Sequence, residues 1–174
     1  MRSTDVDSAI AFNQENEARF QELLRQYPTK QAVALPALWL AIEQWGHVTP
    51  DHMEYIAKRL GLSPVAVYAV VEFYTMFPTA PLGKHHIQLC RNLTCTMRGC
   101  EDLQSLIEGE LGIRPGERTK DGLFSLELVE CLGSCGTAPV MRMDNRYFEN
   151  LDREKLSSII RSCREERADP EQDR

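Results

Sequence analysis

The sequence predicts a chain of mixed α+β and α/β class: an N-terminal helical bundle followed by an α/β domain in the order strand, helix, strand, hairpin, helix. Three observations predict it. From Ala11 to about Phe77, apolar residues recur at three- and four-residue intervals, the period of one helix face. "PTAPLGK" then breaks both helix and sheet and reads as a domain boundary. Beyond it, two short apolar runs lead into cysteines, "HHIQLC" and "LFSLELVE" before Cys131, and a helical segment separates them. The expected division is 1–78 for the helical bundle, 79–165 for the α/β domain and 166–174 for a charged tail.

Each element has a local reason. In "NQENEARFQELLRQYP" Phe20, Leu23 and Leu24 share one face. "TKQAVALPALWLAIEQWG" carries a stripe of Leu35, Leu38, Trp39, Ile42 and Trp45, and Pro36 lies too deep for the first helical position, so a kink or a late helix start is expected. "TPDHMEYIAKRLG" offers Thr49 as N-cap, Pro50 at the first helical position and Gly61 as the stop. "SPVAVYAVVEFYTMF" repeats the device with Ser63 and Pro64 and aligns Val67, Val70, Val71, Tyr74 and Phe77. In the second half, "HHIQLC" reads as a strand ending at Cys90 and "MRGCEDLQSLIEGELG" as one helix stopped by Gly112. The polar loop "RPGERTKDG" leads to the strand "LFSLELVE". "VMRMDNRYFEN" is a hairpin around Asp144 and Asn145, residues that tolerate positive φ. The last helix, "DREKLSSIIRSC", is capped by Asp152 and puts Leu156, Ile159, Ile160 and Cys163 on one face. The tail "REERADPEQDR" is expected to fray.

Composition narrows the function classes. The chain has 174 residues, six cysteines, a formal charge of −6 and 43% hydrophobic residues, which suits an ordinary globular protein. "MRSTDVDSAI" lacks a basic segment followed by an apolar run, and "AVALPALWLAI" is too short to span a bilayer, so a soluble, cytoplasmic protein without membrane insertion is expected. In a reducing cytosol, clustered cysteines more often bind metal or act as redox centres than form disulfides. The acidic balance argues against nucleic acid as a partner.

All six cysteines fall in the second half. If its first two strands are parallel neighbours joined by a right-handed crossover, their carboxyl ends share one sheet edge, and Cys90 and Cys131 meet there. Cys95 follows Cys90 across four residues and Cys135 follows Cys131 across three. Four converging thiolates suit zinc or an iron–sulfur cluster. The spacings are wider than the usual zinc knuckle and fit better around two irons, each with one pair of thiolates, and Gly133 and Gly136 let the second loop aim N–H donors at sulfur. The pattern is not that of plant-type ferredoxins, because no third cysteine follows Cys95 two residues on. Cys100 follows Cys95 by the interval that separates Cys95 from Cys90, so spacing does not say which of the three is spare. Cys100 falls within the predicted helix, and Cys163 lies on an apolar helix face; both read most simply as buried core thiols.

The C-x4-C at Cys90 and Cys95, a gap of one helix and one strand, then "ECLGSCGTAPVMRM" and "YFENL" closely resemble the thioredoxin-like 2Fe-2S subunit of bacterial and mitochondrial NADH:quinone oxidoreductase, respiratory complex I. The likeness extends over nearly the whole chain, since the stretch from "LPALWLAIEQWG" to "YTMF" is similar to that family's helical domain. The resemblance implies a thioredoxin-like 2Fe-2S ferredoxin domain. It implies one 2Fe-2S cluster, with Cys90 and Cys95 on one iron and Cys131 and Cys135 on the other. It also implies a flavoprotein partner that carries FMN and the NADH site, and a place in the peripheral arm on the cytoplasmic face of a membrane-associated complex. By the same resemblance Cys100 is not required as a ligand, Cys163 has no role, and the peptide before Pro139 is expected to be cis. The chain itself has no G-x-G-x-x-G or Walker-type stretch, consistent with an electron carrier lacking its own NADH site.

Other readings compete. The same module accompanies flavoproteins in NAD-linked hydrogenases and formate dehydrogenases, and the ligands do not separate these from complex I. A zinc-stapled interaction module would use the same four thiols without moving electrons. A thiol redox enzyme using Cys131 and Cys135 is weakened because such enzymes place C-x-x-C at a helix start. His85 and His86 suggest a Rieske-type site, but four cysteines suffice and solvated or capping histidines are expected. Trp39 and Trp45 read as core, and Tyr68, Phe73, Tyr74 and Phe77 as core or partner contacts.

Overall fold

Local capping chemistry sets most helix ends in the first of two units described by the structure, a computed structural model covering residues 10–166. The unit boundary falls between Pro81 and Leu82. Helix α1 (Gln14–Gln26) starts at Asn13, whose side chain accepts the Asn16 N–H at 2.8 Å. Helix α2 (Ala34–Trp45) starts late, as expected from Pro36, which therefore sits in the first turn, where its missing N–H would have no intrahelical acceptor. Helix α3 (Pro50–Leu60) is entered through a capping box. The Thr49 hydroxyl accepts the His52 N–H, and the Thr49 N–H reaches His52 Nδ1 at 3.2 Å. It stops at Gly61, φ +67°.

Helix α4 (Pro64–Phe73) begins at Ser63 as expected but ends four residues before Phe77. The chain turns back there, and the Pro78 carbonyl accepts the Val48 N–H at 2.8 Å. Phe77 is core all the same, reached through this turn and not along the helix face. The four helices enclose one apolar core that includes Phe20, Leu38, Ile56 and Leu60. Each such side chain contributes about 1.5–3 kcal/mol by leaving water. Trp45 belongs to this core, stacked 4.2 Å from the His52 ring. Trp39 does not: it is 41% exposed, with its ring 5.4 Å from Phe77, and Leu40 and Ala41 take the buried positions on α2 instead. Arg59 ties α3 to α1, pairing with Glu17 at 2.6 Å while its guanidinium covers the Phe20 ring at 4.7 Å.

The second unit runs β1 (His85–Cys90), α5 (Leu93–Met97), α6 (Cys100–Leu111), β2 (Phe124–Val129), a 3-10 turn at Cys135–Thr137, β3 (Met141–Met143), β4 (Arg146–Phe148) and α7 (Arg153–Glu166). The helix expected over 97–112 is α6, stopped at Gly112 as expected but starting three residues later, at Cys100; the short α5 before it was not expected, and the two are divided at Gly99, φ +90°. A left-handed residue cannot continue a helix, so α5 ends there and α6 restarts. The sheet order is β2-β1-β3-β4, with β1 and β2 parallel and the other pairs antiparallel. Asp144 and Asn145 make the β3–β4 turn at φ +50° and +67°, and the Ala138–Pro139 peptide is cis. Leu103 and Ile107 of α6 join Leu156, Ile160 and Cys163 of α7 in one core with Ile87, Leu89, Leu126 and Met141 of the sheet. Asp152 caps α7 through the Lys155 N–H at 2.7 Å. α7 extends through Glu166, so the first residue of the charged tail expected over 166–174 is helical, and 167–174 lie outside the described residues.

The two histidines differ from expectation. His85 is buried, with Nδ1 2.6 Å from Asp144, while His86 lies 2.8 Å from Ser125 Oγ and 3.1 Å from Glu127. They are structural partners of neighbouring strands, at the opposite end of β1 from Cys90. Among the described residues no helix is long and apolar enough to cross a membrane.

Two glycines separate crowding from flexibility. A Cβ at Gly83 would lie 2.3 Å from the Phe124 backbone carbon, whereas at Gly109, inside α6, it would meet nothing within 4 Å. Gly83→Ala is expected to lower the urea midpoint of unfolding by about 1–3 kcal/mol equivalent, through a clash with backbone that cannot rotate away. Gly109→Ala should raise it by about 0.5–1 kcal/mol. Equilibrium urea titrations of both variants check the pair.

Candidate metal centre

Parallel pairing puts Cys90 opposite Val129, so both chains leave the sheet at the same edge. The Arg91 N–H still reaches the Val129 carbonyl at 3.0 Å, which carries the pairing one residue into the first loop. Asn92 then caps α5 by accepting the Leu93 N–H, and this short helix brings Cys95 inward, 2% exposed. The second loop follows β2 and carries Cys131 and Cys135, both exposed. Their sulfurs are 3.6 Å apart. Gly133 adopts φ +81°, and its N–H points at the Cys131 sulfur at 3.4 Å, the donor geometry that the glycine-flanked turn suggested. Gly136 is not in the left-handed region.

Glu130 links the two loops, and sequence reasoning missed it. Its carboxylate accepts from Arg91 and from Asn92, each at 3.1 Å, so the residue before Cys131 is tied to the two residues after Cys90. No local pattern signals a contact between residues so far apart in the chain. These bonds hold the Glu130 carboxyl below its usual range, Arg91 contributing most.

The thiols influence one another. Burial pushes the Cys95 thiol up to about 11, reinforced by hydrogen bonding with Cys90 and by the charges of Cys90 and Cys100, and partly offset by the Val140 backbone. Cys135 is also raised, first by its hydrogen bond with Cys131 and by that residue's charge; the Thr94 hydroxyl opposes this and Cys90 adds to it. Neighbouring cysteines therefore disfavour the thiolate form of both Cys95 and Cys135, and for Cys135 part of that effect comes from the other loop. A metal cation reverses this effect, because coordinated thiols are deprotonated outright. The chemistry of this donor set fits a thiolate-bound metal group.

Among the described residues, no three His, Cys, Asp or Glu side chains converge where a single metal ion would sit. Cysteine donors come in pairs, one buried and one exposed. Cys100 is the first residue of α6, 3% exposed, packed with Cys90 and Cys95 and 3.7 Å from the Thr96 hydroxyl. Burial thus does not set Cys100 apart from Cys90 and Cys95. Cys163 is buried in the core of the second unit, away from this group, and burial raises its pKa.

The sequence pattern described as thioredoxin-like [2Fe-2S] ferredoxin matches residues 20–164. Among curated relatives, an NADH-quinone oxidoreductase subunit of Rhizobium meliloti is 43% identical over 139 residues, covering 80% of this chain and 83% of its own. The NADH-quinone oxidoreductase subunit 2 of Thermus thermophilus is 37% identical over 158 residues, covering 89% and 87%. Among solved structures, an NAD+-reducing [NiFe]-hydrogenase in the H2-reduced state aligns with a TM-score of 0.65 at 20% identity. That alignment covers 76% of this chain and 22% of the hydrogenase chain, and it shows a shared fold.

Exposure and pKa together predict which thiols react. In the reduced, iron-free native chain, iodoacetamide is expected to label Cys131 and Cys135 first and the four buried cysteines after denaturation. At pH 8 a thiol with a pKa near 11 is thiolate about one part in a thousand, which slows Cys95 further. Peptide mass spectrometry of the labelled chain reads the order.

Proposed function

We propose, from the premise that the chain belongs to the thioredoxin-like [2Fe-2S] ferredoxin family, that it is the electron-transfer subunit of an NADH-quinone oxidoreductase that carries one 2Fe-2S cluster. The observation that carries this reading is the pair of cysteine loops at one edge of a parallel strand pair, in a chain so similar to subunits of that oxidoreductase. Cys90 and Cys95 hold one iron from the buried side, and Cys131 and Cys135 hold the other from the exposed side. Cys100, at a helix start, is not assigned as a ligand. When bound, the cluster supplies a one-electron carrier.

The chain's own groups tune and protect that centre. The N–H of Gly133 is directed at the Cys131 sulfur, and the Val140 backbone at Cys95 and the Thr94 hydroxyl at Cys135 favour thiolate over thiol. Hydrogen bonds to cluster sulfurs raise a reduction potential, so these donors are levers on it. The exposed pair leaves one side of the centre open to a redox partner.

That partner is a flavoprotein holding FMN and the NADH site. The N-terminal helices act as a bundle that grips it, through exposed apolar side chains such as Tyr68, Phe73 and Met76, which an isolated unit gains nothing by displaying. The assembly belongs to a peripheral arm on the cytoplasmic face of a membrane complex, with the functional domains dividing as 1–78 and 79–165. The likeness to the hydrogenase chain speaks to fold alone, while the relatives at 37% and 43% identity are oxidoreductase subunits.

Substitution tests the ligand set. Ala at Cys90, Cys95, Cys131 or Cys135 is expected to abolish the visible absorbance of the anaerobically purified protein or to cut its iron content severely. Cys100→Ala and Cys163→Ala should leave the spectrum nearly unchanged. Bleaching by Cys100→Ala together with an intact Cys90→Ala spectrum would reassign the buried pair. A colourless wild type with stoichiometric zinc would favour the structural-zinc reading.

A further inference from the structure

The two thiol pairs are held in place by different means, and this asymmetry gives a residue outside the ligand set a role. Cys90 and Cys95 are fixed by burial, packed with Cys100, Ala138 and Val140. Cys131 and Cys135 stand on an exposed loop with two glycines, where packing supplies little. Ordering such a loop costs conformational entropy that some other interaction must offset.

The offset comes from the segment after β4. Glu149 Oε1 accepts the Thr137 hydroxyl at 2.8 Å and the Ser134 hydroxyl as well, and the two hydroxyl oxygens are themselves 2.7 Å apart. Ser134 immediately precedes Cys135 and Thr137 follows it by two, so one carboxylate grips both sides of a thiol. The neighbouring residues repeat the hold. Tyr147 donates its hydroxyl to the Leu132 carbonyl at 3.2 Å, the Asn150 N–H reaches the Thr137 carbonyl at 2.7 Å, and the Leu151 N–H reaches the Pro139 carbonyl at 3.1 Å. Lys155 in turn donates to the Glu149 carbonyl. Hydrogen bonds from Ser134 and then Thr137 lower the Glu149 pKa, so the grip is that of a charged acceptor.

We propose that Glu149 is the positioning residue of the exposed thiol pair: its carboxylate, through Ser134 and Thr137, sets the loop geometry in which Cys131 and Cys135 hold their iron. The proposal rests on the functional reading above and deepens it. Groups that orient metal ligands without touching the metal commonly govern affinity by about 10–100-fold. Replacing Glu149 also removes a negative charge held against the Cys135 loop, so its loss should raise the reduction potential as well as loosen the site.

The test uses the full chain reconstituted anaerobically with ferrous iron and sulfide, as wild type, Glu149→Gln, Glu149→Ala and the control Glu22→Gln, a carboxylate of the first unit paired with Arg25. Loss of visible absorbance under a chelator, the EPR spectrum after dithionite and the midpoint potential are read for each. Glu149→Ala is expected to lose its cluster about tenfold faster or more, with an altered EPR line shape and an upward shift in potential. Glu149→Gln, which keeps an acceptor oxygen, should fall between it and the wild type, and Glu22→Gln should match the wild type. Wild-type release, spectrum and potential in Glu149→Ala would overturn the proposal. Should Glu149→Ala fail to fold, the double variant Ser134→Ala/Thr137→Val removes the same contacts from the other side, and wild-type behaviour there would overturn it equally. A wild-type chain that takes up no iron–sulfur cluster would sink the functional reading and this proposal with it, whereas a loaded wild type indistinguishable from Glu149→Ala would sink the proposal alone.

Discussion

Parallel pairing of β1 with β2 governs where everything else can go. Two parallel strands cannot be joined by a tight turn, so the chain must cross over, here through α5 and α6, before β2 begins. The same geometry brings the carboxyl ends of both strands to one edge, with Cys90 opposite Val129 and Cys131 two residues beyond. Beyond the last hydrogen bond between them, from the Arg91 N–H to the Val129 carbonyl, each loop is released from the strand pairing and available to carry ligands. Had the strands run antiparallel, these two loops would have left from opposite edges. Gly83 shows how tightly the pairing is enforced, since no side chain fits between it and the Phe124 backbone.

From that edge the two loops diverge in physical character. The first folds at once into α5, which buries Cys95 and drives its thiol up to about 11, so in the absence of a cation that group is a neutral core thiol. The second stays exposed and is held by polar contacts with Glu130 on one side and Glu149 on the other. Hydrogen bonds to exposed carboxylates are individually worth little. Their value here is geometric: they limit the conformations of a loop whose donors must meet a partner group in a fixed arrangement. A centre with one rigid buried half and one adjustable exposed half can be closed to water on one side and approached from the other.

Much of this was legible because the signals are local. Thr49 with Pro50 and Gly61, Ser63 with Pro64, Asp144 with Asn145, Gly112 and Asp152 each act within a few residues, and each marks the turn or cap expected of it. Failures occurred where distant chain decides. Gly99 lies between two good helix segments, and its left-handed conformation, which splits α5 from α6, has no periodic signature. Phe77 seemed to extend α4 because its spacing continues the stripe, yet a turn delivers it to the core. Trp39 shared a helical stripe with Leu38 but ended 41% exposed, since Ala37, Leu38, Leu40 and Ala41 take the inner face of α2. His85 and His86 looked solvated until strand neighbours supplied Asp144, Ser125 and Glu127. The placement of both cysteine loops at one sheet edge could be read from strand order, whereas the contacts of Glu130 and Glu149 could not, because their partners are set by the fold.

The most direct measurement is the iron and acid-labile sulfide content of anaerobically purified full-length protein, with EPR after dithionite reduction. About two irons and two sulfides per chain are expected, with a reduced 2Fe-2S signal integrating to about one spin. Stoichiometric zinc in fresh anaerobic material, or iron without sulfide, would contradict the electron-carrier assignment: the cysteine frame would then be serving as a staple or a single-ion site, and not as the seat of a redox cluster.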